Sequence, residues 1–504
     1  MIRYNKIFFL VCLLPLLCKG QTYFNNYYKT GYNNTFSTHV FNNVVDSSFT
    51  VFNYATDSVT GYQGLYSTNI SKTGTLNFKK VLTYPNYDYY SYLNGLKQFI
   101  PATNCSYIGA SVTYTSSLTT ILLTKINKVT LDTIKTSFYY DGVYGYYMNN
   151  LIKFNDNKYY LIGNKSHTSG QWPCVFQLDS NLNIISTFTI SNSINLTTTN
   201  VVLNPISKKL VFGGTVLYSS TQQNVGFIES DTLGTVSTST VIAFSGVQGM
   251  AQLKYSLFDN CYVFNGGIKT SQYGPNNMYK LNITKLSSSL NVLWSKKYAS
   301  AAISNNFNGM IINLDGSVVS CGRYSDSTAL PLVNYDNKGV ILKTKPNGDS
   351  LWMRQYNNYI TGSSPVSYNE TFFGVEKTLD GGYILCGNVM NQPQAKAWLV
   401  KTDSLGCISI GCGNIITSMD EKVREGNITL FPNPANDVLN INSELQFSNA
   451  EVINSLGQLV LSKEMILKDQ KAIINIKDLP NGVYLLYLKN NNSKTVSKRF
   501  VVSR

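Results

Sequence analysis

The sequence predicts an all-β protein, with a seven-bladed β-propeller followed by a small Ig-like β-sandwich. Three observations favour this class. Charged residues make up only 13% of the 504 residues, while Tyr and Gly each occur 36 times; aromatic residues suit strands and glycine suits turns. A four-strand pattern repeats along residues 21–412 with a period of roughly 50 residues. About seven short strand patterns then follow one another within residues 427–504.

The N-terminal segment 1–20 has the features of a signal peptide. Arg3 and Lys6 supply positive charge, and the apolar run 7–17 is too short to span a bilayer. Cys18 and Gly20 place small residues before a cleavage point at Gln21. A lipoprotein is the alternative, which the large Leu17 before Cys18 disfavours. We therefore expect an exported mature chain without a transmembrane segment.

The repeat is clearest in its last two copies. Asp315-Gly316 aligns with Asp380-Gly381, Cys321-Gly322 with Cys386-Gly387, and Lys343-Thr344 with Lys401-Thr402. Four-strand units of this length match propeller blades, whereas a β-helix needs shorter rungs and separate sandwiches need longer units with linkers. The last copy has a truncated fourth strand, so we expect residues 23–37 to supply the missing edge. The second-strand anchors are Tyr54, Gly109, Gly163, Gly213, Gly266, Gly322 and Gly387.

The segment Thr378–Gly387, with the Lys-Thr-Asp run that follows it, resembles TxDGGYIxxG repeats of exported bacterial and archaeal proteins with propeller-like folds. The resemblance is specific over roughly 305–412. It implies a fold and an extracellular destination, but no fixed activity.

The C-terminal part begins after a polar linker, 413–426. Its Pro-Asn-Pro segment suits the edge of a sheet, because two backbone N–H donors are missing there. Residues 427–504 resemble the type A C-terminal sorting domain of the Bacteroidota type IX secretion system. That resemblance implies passage across the outer membrane by the secretion machinery, removal of the domain by a sortase-like peptidase, and release or surface attachment of the cargo. An Ig-like binding module is the alternative. The matching motif residues are Pro432, Asn433, Pro434, Asp437, Gly457, Gly482, Tyr484, Lys498, Arg499 and Phe500.

Two kinds of covalent feature are expected. Cys407 and Cys412 are the closest cysteines in the sequence and form the candidate disulfide, while most others lie in apolar strands as buried thiols. Five Asp-Ser/Thr-apolar triplets also match the O-glycosylation motif of Bacteroidota. Asp-Ser and Asp-Thr are equally ordinary turn formers, so both interpretations stay open. The candidate acceptors are Ser58, Thr133, Thr232, Ser350 and Ser404.

Catalytic and cofactor motifs are missing from the sequence. His39 and His167 are its two histidines, and no HExxH, GxSxG or P-loop occurs, so we expect no metal site and no cofactor. The net charge of +14 comes mainly from scattered lysines rather than a basic cluster, which argues against nucleic-acid binding. A polysaccharide-degrading enzyme remains the competing class, because a propeller can bring distant carboxylates together.

Tyrosine-rich connections supply the candidate binding surface. The segments 84–96, 137–150 and 355–374 fall between repeats, which places them on one rim of a propeller. Tyrosine combines a flat apolar ring with a hydroxyl and suits sugars and protein surfaces. The alternative is that these rings pack between blades. The sequence thus predicts a secreted or surface-attached binding protein, for adhesion or glycan recognition, with the face Tyr87, Tyr89, Tyr90, Tyr140, Tyr144 and Tyr147.

Overall fold

A computed structural model of the chain describes most residues beyond the signal segment, in two compact units. By its internal contacts the chain divides into Met1–Met419 and Asp420–Arg504, and the dividing point falls within the expected linker. Among the described residues there is no helix, and therefore none that could cross a membrane. The described residues are 22–83, 88–90, 98–103, 106–115, 118–167, 170–191, 193–219, 222–243, 249–273, 276–302, 305–325, 337–358, 369–391, 394–409, 428–443, 447–454, 458–464, 471–489 and 495–504.

The larger unit consists of antiparallel strands that follow one another in groups. Hairpin turns that are mostly short and rich in Asp, Asn, Ser and Gly join the strands within a group, as expected for the tight reversals between neighbouring strands. Its strands are β1 (Phe24–Tyr28), β2 (Asn33–Asn42), β3 (Phe49–Thr56), β4 (Gln63–Ile70), β5 (Leu76–Val81), β6 (Asp88–Tyr90), β7 (Phe99–Pro101), β8 (Ser106–Thr115), β9 (Leu118–Asn127), β10 (Thr133–Tyr139), β11 (Gly145–Asn155), β12 (Lys158–His167), β13 (Gly170–Asp179), β14 (Ile184–Thr189), β15 (Leu196–Leu203), β16 (Leu210–Ser219), β17 (Gln222–Ser230), β18 (Val236–Ile242), β19 (Gln252–Ser256), β20 (Cys261–Tyr273), β21 (Asn276–Leu286), β22 (Val292–Ala302), β23 (Asn306–Ile312), β24 (Val318–Ser325), β25 (Asn337–Thr344), β26 (Ser350–Tyr356), β27 (Asn369–Lys377), β28 (Tyr383–Asn391) and β29 (Gln394–Thr402).

Pairing follows the chain order within each group. The strands β2–β5, β11–β14, β15–β18 and β19–β22 form four-stranded sheets, and both β6 and β7 pair with β8 in a sheet that continues through β9 to β10. The strands β23–β26 and β27–β29 belong to one larger sheet, joined by a single parallel bridge between Asn337 and Asn369. Six of the seven anchor residues expected from the repeat lie in the second strand of their group, and Gly109 lies in β8, which follows both β6 and β7.

The first strand of the chain joins the last group. β1 pairs antiparallel with β29, with Phe24 opposite Lys401 and Tyr28 opposite Ala397. This confirms that the N-terminal segment supplies the outer strand there. The residues expected as a truncated fourth strand after Cys407 are not in a strand over the described part, 407–409.

A bulge in the first strand of the group lies opposite the anchor glycines Gly163, Gly322 and Gly387. Register shifts between Phe307 and Gly309 and between Phe372 and Gly374 place a carbonyl over the glycine of the second strand. A Cβ atom on Gly387 would lie 1.9 Å from the Thr371 oxygen, and one on Gly322 would lie 2.0 Å from the Asn306 oxygen. Only glycine allows this close backbone approach.

Apolar cores lie between consecutive groups. The described residues form seven clusters in the larger unit, and each draws side chains from two neighbouring groups. One cluster joins the last group to the first, with Phe24 of β1, Val51 of β3 and Leu399 of β29. Each sheet is therefore covered on both faces by its neighbours, which explains the nearly continuous apolar strands.

The smaller unit has two sheets around one core. One sheet has the order β30-β31-β34 and the other β33-β32-β35-β36, and Leu439, Val452, Leu486 and Phe500 are fully buried between them. Apolar residues alternate with polar or exposed ones along these strands, as in any sheet with one covered face. The strands are β30 (Ile428–Phe431), β31 (Val438–Ser443), β32 (Asn449–Ile453), β33 (Leu459–Glu464), β34 (Lys471–Asn475), β35 (Gly482–Lys489) and β36 (Thr495–Val502).

Candidate functional site

One tyrosine of the predicted binding face is buried in a core. Tyr89 is only 1% exposed and belongs to the core cluster that contains Phe99 and Tyr107, so its assignment to a binding face is wrong. Tyr87 lies outside the described residues, and Tyr90 lies in β6 with its side chain outside them. Tyr89 is buried because β6 pairs with β8 and becomes part of a sheet, a pairing that composition alone does not reveal.

The connection before β11 is a packed structure rather than an open aromatic loop. Asp141 accepts hydrogen bonds from the backbone N–H groups of Val143 and Tyr144 at 2.9 and 3.0 Å, and its other oxygen accepts the hydroxyl of Tyr146. Burial, followed by the bond to Asp141, raises the pKa of Tyr146 far above its ordinary value. Tyr146, which the sequence did not single out, thus anchors this loop.

Only one of the predicted rings in this loop is open to solvent. Tyr140 is 54% exposed, whereas Tyr144 and Tyr147 are half-buried. The Lys165 ammonium lies 4.7 Å from the centre of the Tyr144 ring and covers one of its faces. A single exposed ring does not make a stacking platform for a glycan chain.

A cavity of about 370 Å3 lies instead where the first strands of several groups converge. Its walls come from groups far apart in sequence, which is why no local pattern indicates it. Ligand-binding pockets are typically lined by apolar side chains together with a few polar groups. The lining residues are Thr38, His39, Val40, Phe41, Asn42, Phe99, Ile100, Pro101, Tyr107, Lys128, Gln252, Lys254, Met310, Ile311, Phe373, Gly374, Val375 and Glu376.

The cavity combines aromatic rings with fixed polar groups. Phe41 stacks on Tyr107 with ring centres 5.2 Å apart, and the Lys128 ammonium lies 5.2 Å from the Tyr107 ring centre. His39 Nε2 accepts the N–H of Gln98 at 3.2 Å, so the other ring nitrogen carries the proton and donates to Thr38 Oγ1 at 2.9 Å. Both ring nitrogens of His39 are therefore engaged, and its ring is held in one orientation. Lys128, Lys254 and Glu376 are the charged residues among the described lining.

Exposed apolar side chains occupy the turns that follow several first strands. Val45 is 98% exposed and Leu314 is 92% exposed, each at the tip of the turn after a first strand. Phe258 and Leu379 hold the same position in their groups, and each of these four is followed directly by an Asp. The recurring apolar-Asp pair is a sequence signal for these exposed turns.

Metal binding finds no support among the described residues, since no three His, Cys, Asp or Glu side chains cluster there. His167 ends β12, and its side chain lies outside the described set. Cys407 is in a disulfide. Cys412, its predicted partner, lies outside the described residues, so the pairing stays a prediction. The buried thiols of Cys174, Cys261, Cys321 and Cys386 are free, and burial raises the pKa of each, which makes them unreactive.

The candidate glycosylation triplets lie at turns or strand starts. Ser58, Thr133 and Ser404 are exposed, and Thr232 and Ser350 are half-buried. Asp403 accepts the backbone N–H groups of Leu405 and Cys407, which is the ordinary turn-forming role. Position therefore agrees with both interpretations, and the intact mass of the exported chain distinguishes them.

The proline box of the smaller unit lies against the last strand. The Asn433 side chain accepts the N–H of Val501 at 2.8 Å, and Ala435 N–H donates to the Val501 oxygen at 2.8 Å. Pro432 and Pro434 flank Asn433 and are exposed. The box thus supplies hydrogen-bond partners to backbone groups at the outer edge of β36. Its prolines lack N–H groups and therefore offer no donors to a further strand.

Two other contacts hold the motif residues together. The Tyr484 and Phe500 rings stack with centres 5.6 Å apart, and the Tyr484 hydroxyl donates to the Pro480 oxygen at 2.7 Å. Arg504, which the sequence did not single out, donates to the carbonyl oxygens of Leu479 and Ile476 at 2.9 Å and lies 3.5 Å from Asp437. Asp437 therefore contributes by pairing with the final residue. Gly482 begins β35, Lys498 and Arg499 lie in β36, and Gly457 is outside the described residues.

Comparison with solved structures finds distant similarities for the larger part of the chain. The propeller of Dos1 matches with a TM-score of 0.42 and 9% identity, covering 75% of this chain and 94% of that chain. A subtype N11 neuraminidase-like protein of A/flat-faced bat/Peru/033/2010 (H18N11) matches with a TM-score of 0.35 and 10% identity, over 76% and 94%. Sqt1 from Chaetomium thermophilum matches with a TM-score of 0.37 and 10% identity, over 76% and 100%.

Comparison with curated proteins finds no significant match. A family model does match the smaller unit: residues 429–503 correspond to the secretion system C-terminal sorting domain. All the motif residues named from the sequence lie within this range. The match indicates handling by the type IX secretion machinery and export across the outer membrane, to the cell surface or the extracellular space.

Proposed function

We propose that this protein is an exported seven-bladed β-propeller that binds glycans, carried across the outer membrane by its Ig-like C-terminal sorting domain. Recognition of a glycan on another cell or in the surroundings would make it an adhesion or capture protein. The single observation that supports binding is the cavity formed by first strands of distant groups. Its aromatic rings can stack on sugar faces, and polar and charged side chains lie among its lining residues.

The blade count rests on the strand groups and on the cores between them. Each of the seven described clusters joins consecutive groups, and the cluster with Phe24, Val51 and Leu399 joins the last group to the first. Such a cyclic succession is what a closed ring of blades requires. The pairing of β1 with β29 supplies the fourth strand of the seventh blade.

Binding is favoured over catalysis by the charges in the cavity. Glu376 is the single carboxylate among its described lining residues, whereas glycoside cleavage ordinarily uses two carboxylates on either side of the bond. A hydrolysis assay on the same glycans separates the two classes: product formation by the purified chain, abolished in Glu376→Gln, would establish an enzyme instead.

We expect Phe41→Leu and Glu376→Gln each to weaken glycan binding by roughly tenfold, because they remove a stacking ring and a hydrogen-bonding carboxylate from the cavity. The measurement is affinity on a glycan array followed by calorimetry with the best ligand. Tyr140→Ala is the matched control, since this exposed ring lies in the connection before β11, not among the cavity-lining residues. Loss of binding in Tyr140→Ala alone would show that the binding site lies in the tyrosine-rich loops. If the chain binds no glycan at all, the proposal is wrong.

Deleting residues 427–504 is expected to leave the protein in the periplasm, because the sorting domain is the part that the secretion machinery handles. The measurement is the distribution of the chain between periplasm, cell surface and medium. Normal amounts of the shortened chain on the surface or in the medium would contradict this export route. The full-length chain with the cavity substitutions Phe41→Leu and Glu376→Gln serves as the control and should be exported normally.

A further inference from the structure

The outward face of the four-stranded sheet in the smaller unit is unusually apolar. Alternation along β35 directs Leu486 and Leu488 into the core, where both are 0% exposed, and leaves Val483 and Leu485 on the outer face at 47% and 38%. Leu459 of β33 is 57% exposed. The outward face of a sheet with one covered side is ordinarily polar, so these side chains are not explained by folding.

The apolar side chains of this face are contiguous across the sheet. Ile453 of β32 pairs with Leu459 on one side and with Leu485 on the other, and Leu485 pairs in turn with Arg499 of β36. Val483 pairs with Val501 in the next outward row. Side chains directly opposite on paired strands lie in contact distance. We call Leu459, Ile453, Leu485, Val483 and Val501 the apolar row.

The other sheet of this unit differs in arrangement. Phe431 and Ile473 are 45% and 60% exposed there, but the residue between them is Asn440, which pairs with both. Val438, 44% exposed, pairs with Asn475. Its outward apolar side chains are interrupted by amides and make no continuous surface, which makes this sheet a matched internal control.

Two aromatic residues of the sorting motif are too deeply buried for a partner protein to contact them. Phe500 is 0% exposed and Tyr484 is 5% exposed, and each is packed in the core. Their role is to position strands, so recognition of the domain has to use groups that reach the surface. The apolar row does so, ends at the exposed Arg499, and adjoins the proline box through Asn433, whose side chain donates to the Arg499 oxygen at 3.4 Å.

We propose that the apolar row, together with Arg499, is the surface by which the secretion machinery binds this chain. The partner is a protein with an apolar surface and an acidic group opposite Arg499. Contiguous exposed apolar surface marks protein contacts, and the cation at its end adds complementarity of charge. The proposal rests on export through the sorting domain and is independent of glycan binding.

The test compares two double variants in the full-length chain: Val483→Thr with Leu485→Thr on the apolar row, and Val438→Thr with Ile473→Thr on the other sheet. Threonine keeps the preference for strand and changes only the outward surface. We expect the first variant to lower the amount on the surface and in the medium by about tenfold, with accumulation in the periplasm. The second variant should be exported like the unmodified chain.

Thermal unfolding of the purified chains verifies that both variants fold. If the first variant does not fold, Leu459→Thr at the exposed edge strand and Arg499→Glu decide instead, and each should reduce export. Normal export of the apolar-row variants, or equal loss in the control variant, would overturn the proposal. The deletion of 427–504 separates this result from the export route itself: if the deletion blocks export and the apolar-row variants do not, the route stands and the surface is wrong.

Discussion

Removing residues 22–31 should destabilise the larger unit more than any single substitution, by ~5 kcal/mol or more of unfolding free energy. This segment contains β1, which is paired along its whole length with β29. Its own side chains Phe24 and Tyr28 are buried. Each buried side chain of this size contributes ~1.5–3 kcal/mol to the free energy of unfolding. The deletion also leaves the outer edge of β29 unpaired.

Side-chain hydrogen bonds tie the segment to its own group and to two others. Asn25 accepts the indole N–H of Trp398 at 2.6 Å and donates to the Asn357 oxygen at 3.0 Å. The Tyr28 hydroxyl donates to the Gly74 oxygen at 2.9 Å. Without β1, the Trp398 indole loses its acceptor, although the ring stays stacked on Phe372 with centres 4.1 Å apart. The loss therefore affects packing and hydrogen bonding together.

The measurement is equilibrium unfolding in denaturant of the chain that begins at Tyr32, compared with the mature chain. A synthetic peptide of residues 22–31 should restore part of the stability in a concentration-dependent way, because it binds only the folded form. Tyr62→Ala is the control, since this side chain is 45% exposed and its loss should cost little. An unchanged unfolding transition in the shortened chain would show that β1 does not close the last group.

Replacing Asp380 with Ala should cost ~3–5 kcal/mol, because it leaves the buried ammonium of Lys401 without its carboxylate. The Lys401 side chain is 1% exposed and its Nζ lies 2.8 Å from Asp380 Oδ2. The ammonium also donates to the Thr402 oxygen at 3.0 Å. Changing both residues at once, Asp380→Ala with Lys401→Met, should recover most of the loss, since no charge is then buried alone.

The exposed pair Lys296 and Asp349 is the matched control for this cycle. Its side chains are 36% and 54% exposed, and its nitrogen and oxygen lie 2.6 Å apart. Ion pairs on the surface contribute little because water screens them, so Asp349→Ala should be nearly neutral. Equal costs for Asp349→Ala and Asp380→Ala would contradict the role of burial.

The pH dependence follows from the same pair. Burial raises the pKa of the Asp380 carboxyl, but the hydrogen bonds from Lys401 and Thr378 outweigh it and leave the pKa below its ordinary value. A lowered folded pKa contributes stability at pH above the unfolded pKa of about 4, and that contribution is lost as pH falls through the folded pKa. We therefore expect the unmodified chain to lose stability in acid more steeply than Asp380→Ala does.

Local patterns were sufficient wherever one stretch of chain decides its own structure. The repeat identified Gly163, Gly322 and Gly387 as anchors, because the bulge opposite each of them requires glycine. The proline box and the motifs around Tyr484 and Phe500 predicted the sorting domain through their resemblance to that family. Such motifs can be recognised from short stretches of sequence alone. The repeat aligned Asp380 with Asp315 and Lys401 with Lys343, but it did not reveal that Asp380 and Lys401 are in contact.

Burial of particular side chains was decided by residues elsewhere in the chain. Tyr89 lies in a segment whose composition suggests exposure. It is nevertheless buried, because β6 pairs with β8 and the Tyr89 side chain joins a core formed by residues of two groups. The cavity is another case, because its walls come from first strands of groups that are far apart in the sequence.

The sequence by itself thus determined that the chain is all-β, the succession of its strands and its sorting domain, because these depend on periodicity and on short motifs. Only the tertiary structure decided which tyrosines reach solvent, where the cavity lies, and that Val483 and Leu485 lie on an exposed face beside Ile453. Alternation along a strand defines two faces. Which of them is covered depends on the elements that pack against it from distant parts of the chain.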